Sequence, residues 1–200
     1  MKVKIKKEGK KKTYNLINSW SDVNLKTWAK IVALETGSKT KQAEETIANL
    51  SDIPKKLIKE LALRDVAIIM GKLAELQGSS ANKLEKTVTI DGVEYGMHPD
   101  LNELTLGEYA DLENYIKGGL EKNMPQIMAV LFRKIISKEA LSYTIEPYDG
   151  KLKERTEVMN KLPAEQVQSS LVFFWNFANE LLRITPSVLV DRTNQIKRGL

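Results

Sequence analysis

The segment Thr87-Val-Thr-Ile-Asp-Gly-Val-Glu-Tyr95 constrains the fold of this chain more than any other stretch. Strand-forming side chains alternate on both sides of Asp91-Gly92, a pair suited to the centre of a two-residue hairpin turn, where positive φ is needed. The fold must therefore hold antiparallel strands beside its helices. A second hairpin is predicted near the start, where Val3, Ile5 and Tyr14 flank Glu8-Gly9 and the glycine supplies the turn conformation.

Elsewhere the apolar spacing is helical. Asn24 or Asp22 can cap a helix burying Leu25, Trp28, Ile31 and Val32 and ended by Gly37. A second helix is predicted from about Lys39 to Asn49, with Ala43, Ile47 and Leu50 turned inward. Pro54 suits the first turn of the next, carrying Leu57, Ile58 and Leu61, and Asp65 opens another with Val66, Ile69, Met70 and Leu73. The glycine and serines of residues 77–82 read as a linker. Beyond the central hairpin, Leu104, Leu106, Tyr109, Leu112 and Ile116 predict a helix stopped at Gly118-Gly119. Asn123 can cap a further helix burying Ile127, Met128, Leu131, Phe132 and Ile135. Residues 142–150, crowded by Pro147, Asp149 and Gly150, read as extended or irregular. Helices resume near Leu152, after Pro163 and after Thr185-Pro186.

The expected class is mainly α (α+β), with helical bundle lobes and two short β-hairpins. The lobes would be residues 1–77 and 83–200, the second with an insertion near 118–150. A tandem duplication would explain that division: Trp20-Ser-Asp-Val-Asn-Leu-Lys-Thr-Trp-Ala-Lys-Ile31 lies without a gap on Leu101-Asn-Glu-Leu-Thr-Leu-Gly-Glu-Tyr-Ala-Asp-Leu112. Shared capping and helical spacing would produce the same match without common ancestry.

The residue inventory bears on chemistry. There is no cysteine, which removes disulfides, thiolate metal sites and thiol nucleophiles. His98 is the one histidine, and beside Pro99 in a loop it reads as structural or solvent-facing; carboxylates alone could still hold magnesium or calcium. The phosphate-cradling glycine loops, the dinucleotide fingerprint and the nucleophile elbow are all missing. The pairs Glu44-Glu45 and Glu103 with Glu108 read as exposed helical carboxylates. No catalytic, cofactor or metal residue is therefore assigned, and a non-enzymatic protein is expected. Runs such as 66–70 and 171–175 fall far short of the roughly 20 apolar residues of a membrane span.

Two features remain for binding. Lys2, Lys4, Lys6, Lys7, Lys10, Lys11 and Lys12 face only Glu8, a net +6 within a chain of formal charge +5, so the other 188 residues sit at −1. These lysines can protect an edge strand from aggregation, contact phosphates, or dock on an acidic protein. Lysine without arginine or aromatic residues reads base sequence poorly, so any nucleic-acid contact would be weak and non-specific. The second feature is Leu171-Val-Phe-Phe-Trp-Asn-Phe177, apolar around the whole helix, which must be buried inside the chain or by a partner. Phe173, Phe174 and Trp175 are its candidate interface anchors.

Trp20-Ser-Asp-Val-Asn-Leu-Lys-Thr-Trp28 and Thr46-Ile-Ala-Asn-Leu-Ser-Asp-Ile-Pro54, continuing to Val66, resemble segments of small tail, neck and baseplate proteins of tailed bacteriophages and their tail-assembly chaperones. The resemblance covers most of residues 14–76 and more loosely 87–182. The lysine- and isoleucine-rich composition is similar to that of phages with AT-rich genomes, such as the crAss-like group. What the resemblance implies is a virion structural or assembly protein, in the virion or in host cytoplasm during assembly. Its partners would be other virion proteins of the tail, neck, portal or baseplate, or further copies of itself. The alternative is a non-specific nucleic-acid-binding protein contacting the phage genome.

Overall fold

The computed structural model describes residues 1–7, 10–34, 38–76, 84–140, 142–168 and 170–182. The expected stop at Gly37, the linker at 77–82 and the helix after Thr185-Pro186 lie outside them. The fold is mainly α with two small antiparallel sheets.

Strands β1 (Lys2–Lys7) and β2 (Lys10–Asn15) form the first hairpin, in the register Val3↔Tyr14 and Ile5↔Lys12. Alternation turns Val3, Ile5 and Tyr14 into the core. An isolated two-stranded ribbon is marginal, and this one is clipped to the turn after α2 (Lys39–Leu50). Ile17 N–H donates to Leu50 O at 3.1 Å, Asp52 N–H to Asn15 O at 3.1 Å, and Asp52 accepts from the Asn15 backbone and side chain at 2.7 Å each.

Helix α1 (Leu25–Val32) starts at Asn24, whose side chain accepts from Thr27 N–H at 2.9 Å. Pro54 sits just outside α3 (Lys55–Ile58) instead of in its first turn. Asp65 lies inside the first turn of α4 (Leu63–Ala74), which begins after Ala62. There a carboxylate favours the positive end of the helix without capping it.

Strands β3 (Thr87–Ile90) and β4 (Val93–Met97) form the central hairpin, with Asp91 at φ 50° and Gly92 at φ 76°. Helix α5 (Leu106–Lys117) follows and stops at Gly118-Gly119, the latter at φ 113°. Helix α6 (Met124–Leu131) then corrects the expectation of a helix through Ile135. The backbone passes at Phe132 into β5 (Phe132–Lys138), which pairs with β4 through Gly96↔Arg133 and Met97↔Phe132. The open edge of β4 and the strand-favouring Phe-Arg-Lys-Ile-Ile stretch override helical spacing there. Short β6 (Tyr143–Ile145) completes the sheet in the order β3-β4-β5-β6. Asn123 precedes α6, but its side chain donates to Tyr115 O and Gly119 O, tying the α5–α6 turn together instead of capping.

Helices α7 (Leu152–Met159), α8 (Ala164–Gln168) and α9 (171–182) finish the described chain. Residues before and after the 77–83 interval share one hydrophobic cluster. Leu25 N–H donates to Leu162 O at 2.7 Å, and Ala164 N–H to Val23 O at 2.7 Å. The start of α1 is thus covered by residues 160–164 from the far end of the chain.

Candidate contact surfaces

The two segments matched within the sequence adopt the same local structure. Trp20–Asp22 and Leu101–Glu103 are each one 3-10 turn, begun by Ser19 accepting from Ser21 N–H and by Asp100 accepting from Asn102 N–H. The next helices are capped at matched positions, Asn24 and Thr105. Their surroundings differ. Leu25 is fully buried, whereas its counterpart Leu106 is 83% exposed, and Ala110 is exposed where Ala29 is buried. At α1 the first two helical N–H groups meet protein carbonyls, Leu25 to Leu162 O and Lys26 to Asn160 O at 3.3 Å. At α5 the equivalent N–H groups of Leu106 and Gly107 have no protein partner among the described residues. The α5 start therefore presents an exposed leucine and two backbone donors without a partner among the described residues, where its twin meets the turn between α7 and α8.

One face of α5 is buried at Glu108, Leu112 and Ile116, and its polar cluster corrects the reading of Glu108 as an exposed carboxylate. Glu108 is 1% exposed and forms a capping box with Thr105, accepting from the Thr105 N–H at 2.7 Å and hydroxyl at 2.6 Å. Its other oxygen pairs with Arg133 of β5, itself 4% exposed, while His98 Nε2 stands 3.7 Å away. Burial acts most strongly on this carboxyl and opposes its ionisation, but the Thr105 and Arg133 hydrogen bonds outweigh burial and hold it below the usual range. Both guanidiniums of Arg133 and Arg155 lie near the Tyr148 ring, at 5.7 and 5.6 Å from its centroid. The Tyr148 hydroxyl donates to Asp111, and Arg155 pairs with Asp149. Burial, then that bond to Asp111, pushes the phenol well above its ordinary value. This network joins α5, β5, α7 and the 146–150 loop. The Thr-x-x-Glu pattern at 105–108 was its one signal in the sequence; Arg133 lies too far along the chain to be linked by spacing.

The lysines predicted as contacts divide by face. Lys2, Lys4, Lys6 and Lys11 are exposed on the side opposite Val3, Ile5 and Tyr14. Lys12 lies over the Tyr14 ring at 5.4 Å, beside an open groove of about 420 Å³ between the hairpin and α3, lined by Ile5, Pro54 and Leu57 among others. Lys7 and Lys10 pair in register at the turn end of the ladder.

The aromatic block on α9 is amphipathic in place, not covered all round. Phe174 is fully buried, which removes it from the candidate interface; Phe177, Ala178 and Leu181 share its face. Phe173 is half-buried and stacks on Phe177 with centroids 6.2 Å apart. Trp175, 48% exposed, and Val172 look outward. Tyr109 of α5 donates to Leu181 O at 3.1 Å, fixing α9 against α5.

Among the described residues, no group of three or more His, Asp or Glu side chains gathers to hold a metal ion. No described helix is long and apolar enough to cross a membrane. No family model, curated protein or solved structure matches the chain.

Proposed function

We propose that this chain is a non-enzymatic structural or assembly protein that works through protein–protein contacts, and that the start of α5 is its principal docking position. The observation that carries the reading is the contrast between matched helix starts. Where the turn at residues 160–164 meets the start of α1, its carbonyls satisfy two helix N–H groups, and Leu25 beside them is fully buried. Among the described residues nothing takes that place at α5, where Leu106 is exposed. An incoming turn with an apolar side chain and two carbonyls placed as those of Asn160 and Leu162 would fit it, joining backbone hydrogen bonds to an apolar contact. Further large apolar side chains held outward on helices, Trp175 and Val172 on α9 and Leu63 on α4, support a molecule that presents contact surfaces. The resemblance of residues 14–76 to tail, neck and baseplate proteins supports placing those contacts in a tailed-phage virion or its assembly intermediates.

A photo-crosslinking residue placed at position 106 in the full chain, within the cell that expresses it, tests this reading. A defined protein should be captured from position 106 and not from the exposed position 153. No product at 106, or the same products at both positions, would contradict it.

A further inference from the structure

The outer face of the β1–β2 hairpin is chemically unlike the rest of the surface, and it does not share the apolar character of the α5 start. Period-2 alternation places Lys2, Lys4 and Lys6 in one row, with Lys11 opposite Lys6 on the neighbouring strand. Their strand positions are fixed from behind by buried Val3, Ile5 and Tyr14, and at the base by the Asn15–Asp52 clamp. Asp52 is engaged at that clamp, Asn15 and Thr13 are the neutral members of the face, and Glu8 falls outside the described residues. Four cations thus lie on one face of the ribbon, the row of three spanning about 14 Å at roughly 3.4 Å per residue.

This face has neither an aromatic nor an arginine anchor, and lysine is depleted at protein interfaces. Compact, flexible point charges in a regular row suit instead a regular row of phosphates, of which each strand of a duplex carries one per about 3.4 Å of helix axis. With no side chain placed to read base edges, contact would go to the backbone alone. We infer that the Lys2, Lys4, Lys6 and Lys11 face of the hairpin binds the phosphate backbone of nucleic acid without sequence preference. It is a second contact surface, independent of the docking position on α5.

The test is fluorescence anisotropy of the full chain with a labelled mixed-sequence DNA duplex across a salt series, beside labelled polyglutamate at equal charge concentration. Neutralising about four phosphates gives a slope of about −3.6 in log K against log salt, so affinity should fall about 150-fold between about 50 and 200 mM salt. Changing the four lysines together to Gln should abolish binding. Lys4→Gln alone should make the slope shallower by about 0.9, and Lys153→Gln should change neither affinity nor slope. Circular dichroism should show the variants folded, since all four side chains are exposed. Three results would overturn the inference: no association with the duplex at low salt, undiminished binding by the folded quadruple variant, or polyglutamate held through these lysines at least as tightly as DNA. The last would assign the face to an acidic protein.

Discussion

The Glu108–Arg133 pair offers the sharpest test of the core. In Glu108→Ala, Arg133 keeps its place under Tyr148 but loses its carboxylate, and Thr105 loses the acceptor for both its hydroxyl and its N–H. With the two side chains 1% and 4% exposed, water reaches the stranded guanidinium poorly. Removing one member of such a pair costs about 3–5 kcal/mol, since an uncompensated buried charge remains. In urea, with a slope of about 2 kcal/mol per molar, the unfolding midpoint should fall by about 1.5–2.5 M at unchanged slope. Replacing both partners, Glu108→Leu with Arg133→Met, removes the charges together and should cost less than Glu108→Ala alone. A single-variant loss below about 1 kcal/mol, or a double variant less stable than the single, would refute the claim that burial makes this pairing obligatory.

Three further outcomes follow from the same geometry. Phe174→Ala should cost about 3–5 kcal/mol by leaving a core cavity, whereas Trp175→Ala, half in solvent, should cost far less; thermal melts of the two variants should separate them. At Gly96, an added Cβ would run into the Tyr143 ring, which is itself held by a hydroxyl bond to Met97 O at 2.8 Å. Gly96→Ala should therefore cost about 1–3 kcal/mol and alter the near-UV tyrosine signal. Because the Glu108 carboxyl is held below its ordinary 4.5, its contribution is complete above that pH and lost as pH falls through the folded value. The stability gap between wild type and Glu108→Gln should narrow on acidification from about pH 5 to about pH 3, measured by urea midpoints.

Local chemistry made much of the fold legible in the sequence. Asp91-Gly92 specified its turn because few residue pairs accept two successive positive φ angles. Asn24 and Gly118-Gly119 marked helix ends by capping and backbone freedom. Phe132 escaped the same reading because Leu131, Phe132 and Ile135 satisfy helical spacing equally well; the β4 edge that recruits them is a tertiary feature. Glu108 looked like any helical carboxylate until Arg133, 25 residues away, closed on it. The most informative site residue, Leu106, was hidden for a different reason. Its match to Leu25 predicts burial, and only the folded chain shows that nothing among the described residues covers it.

The most direct measurement is quantitative mass spectrometry of purified particles and assembly intermediates from cells expressing either the wild-type chain or Leu106→Asp. A chain that works by docking at the α5 start should be present at a fixed ratio to a structural protein, and the variant should be lost from those assemblies at unchanged cellular abundance. Equal incorporation of the two chains, or absence of the wild type from every assembly, would contradict the account.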